Sequence, residues 1–220
     1  MGRLYEAYID LKFLLNRGYR KSSALEFVTN HYRLPAEGRY FLARCVFPDS
    51  WIIGVYGKLV RTAGDAILGV DGFNVLITLE SLLDGIAIRC EDSLIRDIKY
   101  QKKYKVNERT WEVLRLMVRS IKLVGPREVA VFYGKSVPKS GQVKKATQEL
   151  LEELSISGRV ELVKSPDFEL KKFEYVATAD TGIIEKVSYV VDLVDIASML
   201  VGIRPIEFKV ALRIFDEKLK

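Results

Sequence analysis

The 220-residue sequence predicts an α/β fold, a mostly parallel sheet flanked by helices, preceded by a small all-helical module. Three observations carry this expectation. Residues 1–47 divide into segments with helical spacing or helix-start signals. From residue 66 to residue 220, short strand-type runs alternate with longer amphipathic ones, the pattern of strands joined by crossover helices. Between the two, residues 48–65 mix glycines with aromatics and show no period, so they are expected to be a connector packed on the core.

In the module, Leu4, Ala7, Tyr8, Leu11, Leu14 and Leu15 keep helical spacing until Gly18 stops them. Ser23 and Glu26 form a capping-box pattern that opens a second helix, with Leu25, Val28 and Tyr32 on its apolar face. Pro35 suits the first position of a third helix running through Phe41, Leu42 and Cys45. Two short helices joined by HYRLP have the look of a helix-turn-helix, which makes Arg39 and Arg44 candidate nucleic-acid contacts. Three-helix units that only pack are the commoner use of such a pattern.

In the second part, AILGV reads as a short buried strand ending at Asp71. The residues that follow are ambiguous by period alone. Phe73, Val75, Ile77 and Leu79 alternate as in a strand, and Asp71-Gly72 would then be a hairpin turn; Val75, Leu79, Leu82 and Leu83 keep helical spacing up to Gly85. The strand–helix alternation downstream decides for a parallel strand entering a helix. Asn107 caps a helix whose apolar face uses Trp111, Leu114, Val118 and Ile121, and Gly125-Pro126 stops it. EVAVFY, RVELVK and EYVATA are strands, and VKKATQELLEEL is a helix. Parallel sheets bind ligands at the carboxyl ends of their strands, where AILGV and YVATA deliver Asp71 and Asp180.

Composition narrows the function classes. With 49% hydrophobic and 29% charged residues, and no apolar run near the ~18 residues of a membrane span, the chain is expected to be soluble, cytoplasmic and without a membrane partner. Glu6 and Asp10 break what would otherwise resemble a leader segment. Cys45 and Cys90 lie far apart in sequence, and His31 is the one histidine, so neither a zinc site nor a Cys–His nucleophile assembles easily; both cysteines are expected to be buried small hydrophobes. His31 sits at a helix end and suits a local or dipole role. The net charge of +6 is compatible with a polyanionic partner without requiring one.

Several motifs bring a family into view. TADTGII, with Asp167 in SPDFEL upstream, resembles the acidic signature of PIN-like nucleases, and VDGFNVL resembles the first-strand motif of their NYN branch. Most of the chain resembles the largely archaeal proteins of domain-of-unknown-function family 434, through GYRKSSAL, HYRLPAEGRYFLAR, DGFNVLITLES, the RDI of IRDIKY, the KSG near residue 140 and VATADTGII. The resemblance implies a PIN-like α/β domain with a Mg²⁺ or Mn²⁺ site. Asp71 would be the first-strand ligand, Asn74 its orienting neighbour, Asp180 the acid after the later strand and Asp167 a third ligand. Asp92 and Asp97 in CEDSLIRDI are further ligand candidates implied by the closer family. The same resemblance implies an aspartate where this chain has Gly134.

The chemistry is consistent with that set. Clustered carboxylates repel unless protonated or bridged by cations, and hard divalent ions prefer oxygen ligands. Arg96, Lys135 and Lys139 are candidate phosphate contacts, while Asp192 and Asp195 read as strand-end or capping acids. The expected activity is metal-dependent phosphodiester hydrolysis by a nuclease, with RNA favoured over DNA as partner; a homo-oligomer is compatible with it. Two alternatives stay open: a nucleic-acid-binding protein with a degenerate site, favoured by Gly134, and a metal-dependent phosphatase on small phosphate esters.

Overall fold

A computed structural model describes residues 2–98 and 104–218. In chain order the elements are α1 (Arg3–Asn16), α2 (Lys21–His31), α3 (Ala36–Cys45), α4 (Asp49–Tyr56), β1 (Leu59–Val60), β2 (Ile67–Asp71), α5 (Gly72–Leu83), β3 (Ile88–Arg89), β4 (Ile95–Arg96), α6 (Thr110–Val124) and β5 (Glu128–Gly134). They continue with α7 (Ser140–Glu153), β6 (Gly158–Val163), α8 (Pro166–Leu170), β7 (Tyr175–Ala177), α9 (Thr181–Ile184), β8 (Tyr189–Val191), α10 (Leu193–Val201), β9 (Ile206–Glu207) and α11 (Phe208–Lys218).

Among the described residues the main sheet has the order β1-β8-β7-β2-β5-β6, and every pairing in it is parallel. Strand residues alternate between its two faces. Leu68, Val70, Val129 and Val131 share one hydrophobic core with residues of α5, α6 and α10, whereas Ala130, Phe132 and Val176 share another with Leu170 of α8 and Ile183 and Ile184 of α9. A small second sheet, β4-β3-β9, adjoins a third core built from α1, α2, α3 and α11.

The turn at Asp71-Gly72 is therefore no hairpin. Strand β2 ends at Asp71 and the chain enters α5 directly, burying Leu76, Leu79 and Leu82. Glycine is required at 72, because a Cβ there would stand 2.2 Å from the Tyr133 ring. The helix-stop expectation also holds, since Gly125 takes a left-handed φ of 64° after α6. The start differs from expectation: Arg109 holds the N-cap position, and Asn107, two residues ahead of it, bonds reciprocally to the first helical residue, its Oδ1 accepting from the Thr110 N–H at 3.2 Å while Thr110 Oγ1 accepts from the Asn107 N–H at 3.0 Å.

Four expectations need correction. Residues 48–65 are not an irregular connector, since they hold α4 and the edge strand β1, which pairs with β8. The Ser23–Glu26 capping box does not form; α2 starts at Lys21 without a side-chain cap. Trp111 is 38% exposed although Leu114, Val118 and Ile121 on its helix are fully buried. Cys45 and Cys90 are buried as expected, but they are joined in a disulfide that links α3 to the segment after β3. Sequence separation hid that pairing, because only the fold brings α3 against the small sheet.

Candidate functional site

Strand order reverses beside β2: from β2 the chain crosses outward to β5 and β6, then returns to β7 on the other side. Such a switch point opens a crevice at the carboxyl edge of a parallel sheet. Asp71 ends β2, and Asp180 follows β7, its direct parallel neighbour.

Asp71 is 8% exposed. Its Oδ2 accepts a hydrogen bond from Thr178 Oγ1 at 3.1 Å, and the same Thr178 oxygen accepts the backbone N–H of Asp180 at 3.1 Å. Asn74, one turn into α5, accepts the N–H of Ala179 on Oδ1 at 3.1 Å. The first turn of α5 and the loop after β7 are thus tied together by two side chains. Asp180 caps α9, its Oδ1 accepting from the N–H groups of Gly182 at 2.8 Å and Ile183 at 3.2 Å. Asp167 is exposed in the first turn of α8. That helix lies close on β2 because residue 69 is glycine, where a Cβ would meet the Phe173 ring at 2.9 Å and Leu170 at 3.1 Å.

Electrostatics link the three acids. Burial, and then the negative charges of Asp167 and Asp180, push the Asp71 carboxyl up to about 7, against the opposing pull of Thr178 and of the Asn74 backbone amide. The donors are hard carboxylate oxygens, which suits Mg²⁺ or Mn²⁺. Among the described residues, however, no group of three or more acidic, histidine or cysteine side chains is arranged to hold a metal ion. The three acids share a field without forming a preset cage.

The other sequence candidates fall elsewhere. Asp92 and Arg96 are buried against each other, with Arg96 Nη1 and Nη2 donating to the two Asp92 oxygens at 2.5 and 2.7 Å and Trp51 Nε1 adding a third bond at 3.1 Å. Arg96 is 1% exposed and its charge is neutralised, so it is not a phosphate contact, and the doubly bonded Asp92 is not a ligand in this arrangement. Arg96 instead donates from Nε to the Ala179 carbonyl at 3.1 Å, bracing the residue before Asp180. Asp97 pairs with Arg44 at 2.8 Å, which removes both from the roles expected of them. Arg39 binds the Leu34 carbonyl at 2.7 Å, the Thr29 hydroxyl at 3.2 Å and the Asn30 side chain at 2.8 Å, locking α2 to α3. Lys135 and Lys139 are exposed at and after the carboxyl end of β5. Beside them, a Cβ at Gly134 would meet open space. Asp192 caps α10, as read from sequence, whereas Asp195 in its first turn is not the cap and pairs with Arg89 at 2.7 Å. Thr178 was not singled out by sequence reasoning; its signal was a hydroxyl two residues before Asp180 at a strand end.

Two cavities lie apart from this cluster. One of about 330 Å³ is lined by Tyr56, Arg61, Arg89 and Asp195, and one of about 1080 Å³ lies among α1, α11 and the β3 segment. No helix among the described residues is long and apolar enough to cross a membrane.

Comparison with known proteins divides the chain in two. Residues 3–56 match a protein family of unknown function, DUF434, and residues 60–196 match a domain of unknown function, DUF5616. An uncharacterized protein of Methanocaldococcus jannaschii, MJ0935, is 40% identical over 191 residues, covering 84% of this chain and 91% of that protein. No solved structure matches. By the extent of both matches, the chain belongs to the DUF5616 family, its domain preceded by a DUF434 segment.

Proposed function

We propose that the chain is a divalent-metal-dependent phosphodiesterase acting on RNA, with its reaction centre at the β2–β7 crossover of a PIN-like domain. The observation that carries this is the placing of Asp71 at the end of β2 beside Asp180 after the neighbouring β7, linked through the Thr178 hydroxyl, with the Asp71 carboxyl pushed up to about 7 by burial and by the charges of Asp167 and Asp180. Keeping a repelled carboxyl buried opposes folding, and perturbed acids of this kind concentrate at functional sites. In such a centre Asp71 and Asp180 would hold Mg²⁺ or Mn²⁺, with Asp167 reaching in from α8. When bound, the ion would lower the pKa of a water and neutralise charge on the attacked phosphate. The protein's own residues prepare that task. Thr178 holds Asp71 Oδ2 in place, and Asn74 fixes the Ala179 amide and so the approach to Asp180. Asp180 spends Oδ1 on the helix cap, which leaves Oδ2 available. Lys135 and Lys139 supply exposed charge for the phosphate backbone.

The test is cleavage of labelled single-stranded RNA and of bis(p-nitrophenyl) phosphate with Mg²⁺, Mn²⁺ or chelator. Asp71→Asn and Asp180→Asn are each expected to lower metal-dependent RNA cleavage more than about a hundredfold, since a ligand is worth several kcal/mol of transition-state stabilisation. Asparagine caps a helix as well as aspartate does, so Asp180→Asn should stay folded. Ester hydrolysis without RNA cleavage would favour the phosphatase; metal-independent binding without turnover would favour the degenerate binder. Full activity in both variants would remove the cluster as the site.

A further inference from the structure

Next to the acid cluster the surface carries a large aromatic that the core does not use. Phe168, one residue after Asp167 on α8, is 63% exposed, while Leu170 on the opposite side of the same turn is fully buried against the sheet. The Lys172 ammonium lies 4.3 Å from the Phe168 ring centroid and is held there by Glu169 at 2.6 Å. On the same segment, Lys164 four residues before it and Lys171 three residues after it are exposed, and the Lys135 N–H donates to the Val163 carbonyl at 2.9 Å, which brings the backbone of the exposed Lys135 beside that of Lys164. The ring thus follows the carboxyl end of β6, on a segment whose exposed lysines lie next to the carboxyl end of β5.

An exposed Phe on a soluble surface is unremarkable when isolated. Here it adjoins an acid that acts on Asp71, and consecutive Cα atoms are only about 3.8 Å apart. Sequence-tolerant recognition of single strands combines such parts: an aromatic face on which a base stacks, and lysines that follow the backbone. A duplex cannot use the ring, because its bases are already stacked. A small phosphate ester has no base to offer.

We infer that Phe168, backed by Lys172, is a base-stacking platform that selects single-stranded RNA at the acid cluster. As an assignment of substrate class it rests on the proposed phosphodiesterase activity, but the binding it describes can be measured without turnover. A fluorescein-labelled single-stranded 12-mer RNA and the same sequence as a duplex are titrated with the full chain in chelator. Phe168→Ala should weaken single-strand binding about 5- to 150-fold, the range for loss of one base stack, and Phe168→Trp should retain it. Duplex binding should be the same in wild type and Phe168→Ala. The exposed position makes both variants expected to melt with the wild type.

Unchanged single-strand affinity in Phe168→Ala would overturn the platform. So would an equal loss for duplex, or no single-strand binding by wild type. Stacking-dependent binding by a wild type that hydrolyses nothing would sustain the platform and sink the proposed activity.

Discussion

At the scale of single residues, Asp71 sets the terms of the site. Its carboxyl is pushed up to about 7 by burial first and by Asp167 and Asp180 next. A group held above its unfolded value keeps its proton longer in the folded chain, so the stability it adds is fully present below the ordinary carboxyl value and is lost as pH rises through about 7. Asp192 is raised in the same direction, to about 6, mainly by burial, so wild type alone cannot isolate Asp71. The informative measurement is urea unfolding of wild type and Asp71→Asn from pH 4 to pH 8. The variant should match wild type at the acid end and exceed it at pH 8 by a few kcal/mol, because an amide has no charge to desolvate. A constant difference across the range would show that Asp71 does not titrate abnormally. Mn²⁺ should raise the wild-type melting temperature more at pH 8 than at pH 6, since the ion and the proton compete for one carboxylate.

At the scale of elements, the segment carrying β3 and β4 braces the site. The Asp92–Arg96 pair is buried, Trp51 from α4 bonds to Asp92, and Arg96 reaches the Ala179 carbonyl. Removing one partner of a buried pair leaves an uncompensated charge, which typically costs about 3–5 kcal/mol, whereas replacing both by apolar groups is often near neutral. Asp92→Ala should therefore destabilise by that amount in denaturant unfolding, and Asp92→Ala with Arg96→Met should recover most of it. If Asp92→Ala unfolds like wild type but loses metal-dependent cleavage, Asp92 is a ligand after all. The N-terminal helices act similarly as packing: Phe41 of α3 stacks on Phe208 and Phe215 of α11 with centroids 5.6 and 5.1 Å apart. The module is therefore not a separate body on a connector, because its core is completed by the last helix.

At the scale of the whole molecule, legibility followed the range of the interactions. Period and stop signals act within a few residues, so α6 with its Gly125 stop and the strands β5 and β6 could be read from them, whereas the β2–α5 turn was ambiguous by period and needed the strand–helix alternation downstream. What the sequence hid depends on distant partners: the two-residue strand β1, the Cys45–Cys90 bond, and the pairing of Arg96 and Arg44 with acids. The site divides in the same way. Asp71 and Asp180 were visible as acids at strand ends, while Thr178 and Phe168 gain meaning only from what stands beside them. The net charge of +6 is thus a poor guide to a polyanion surface, because the three arginines that sequence offers for the role are engaged within the chain, Arg96 buried and Arg39 and Arg44 half-buried. Salt dependence separates the two groups, since each phosphate neutralised on a single strand adds about 0.7 to the slope of log K against log salt. Lys135→Ala with Lys139→Ala should reduce that slope by about 1.4 if both contact phosphates. Arg39→Ala with Arg44→Ala should leave slope and affinity unchanged while lowering the unfolding midpoint, because Arg39 ties α2 to α3 and Arg44 neutralises the buried Asp97. A slope that falls for the arginine pair and not for the lysines would move the proposed nucleic-acid surface from the carboxyl edge of the sheet to the helical module.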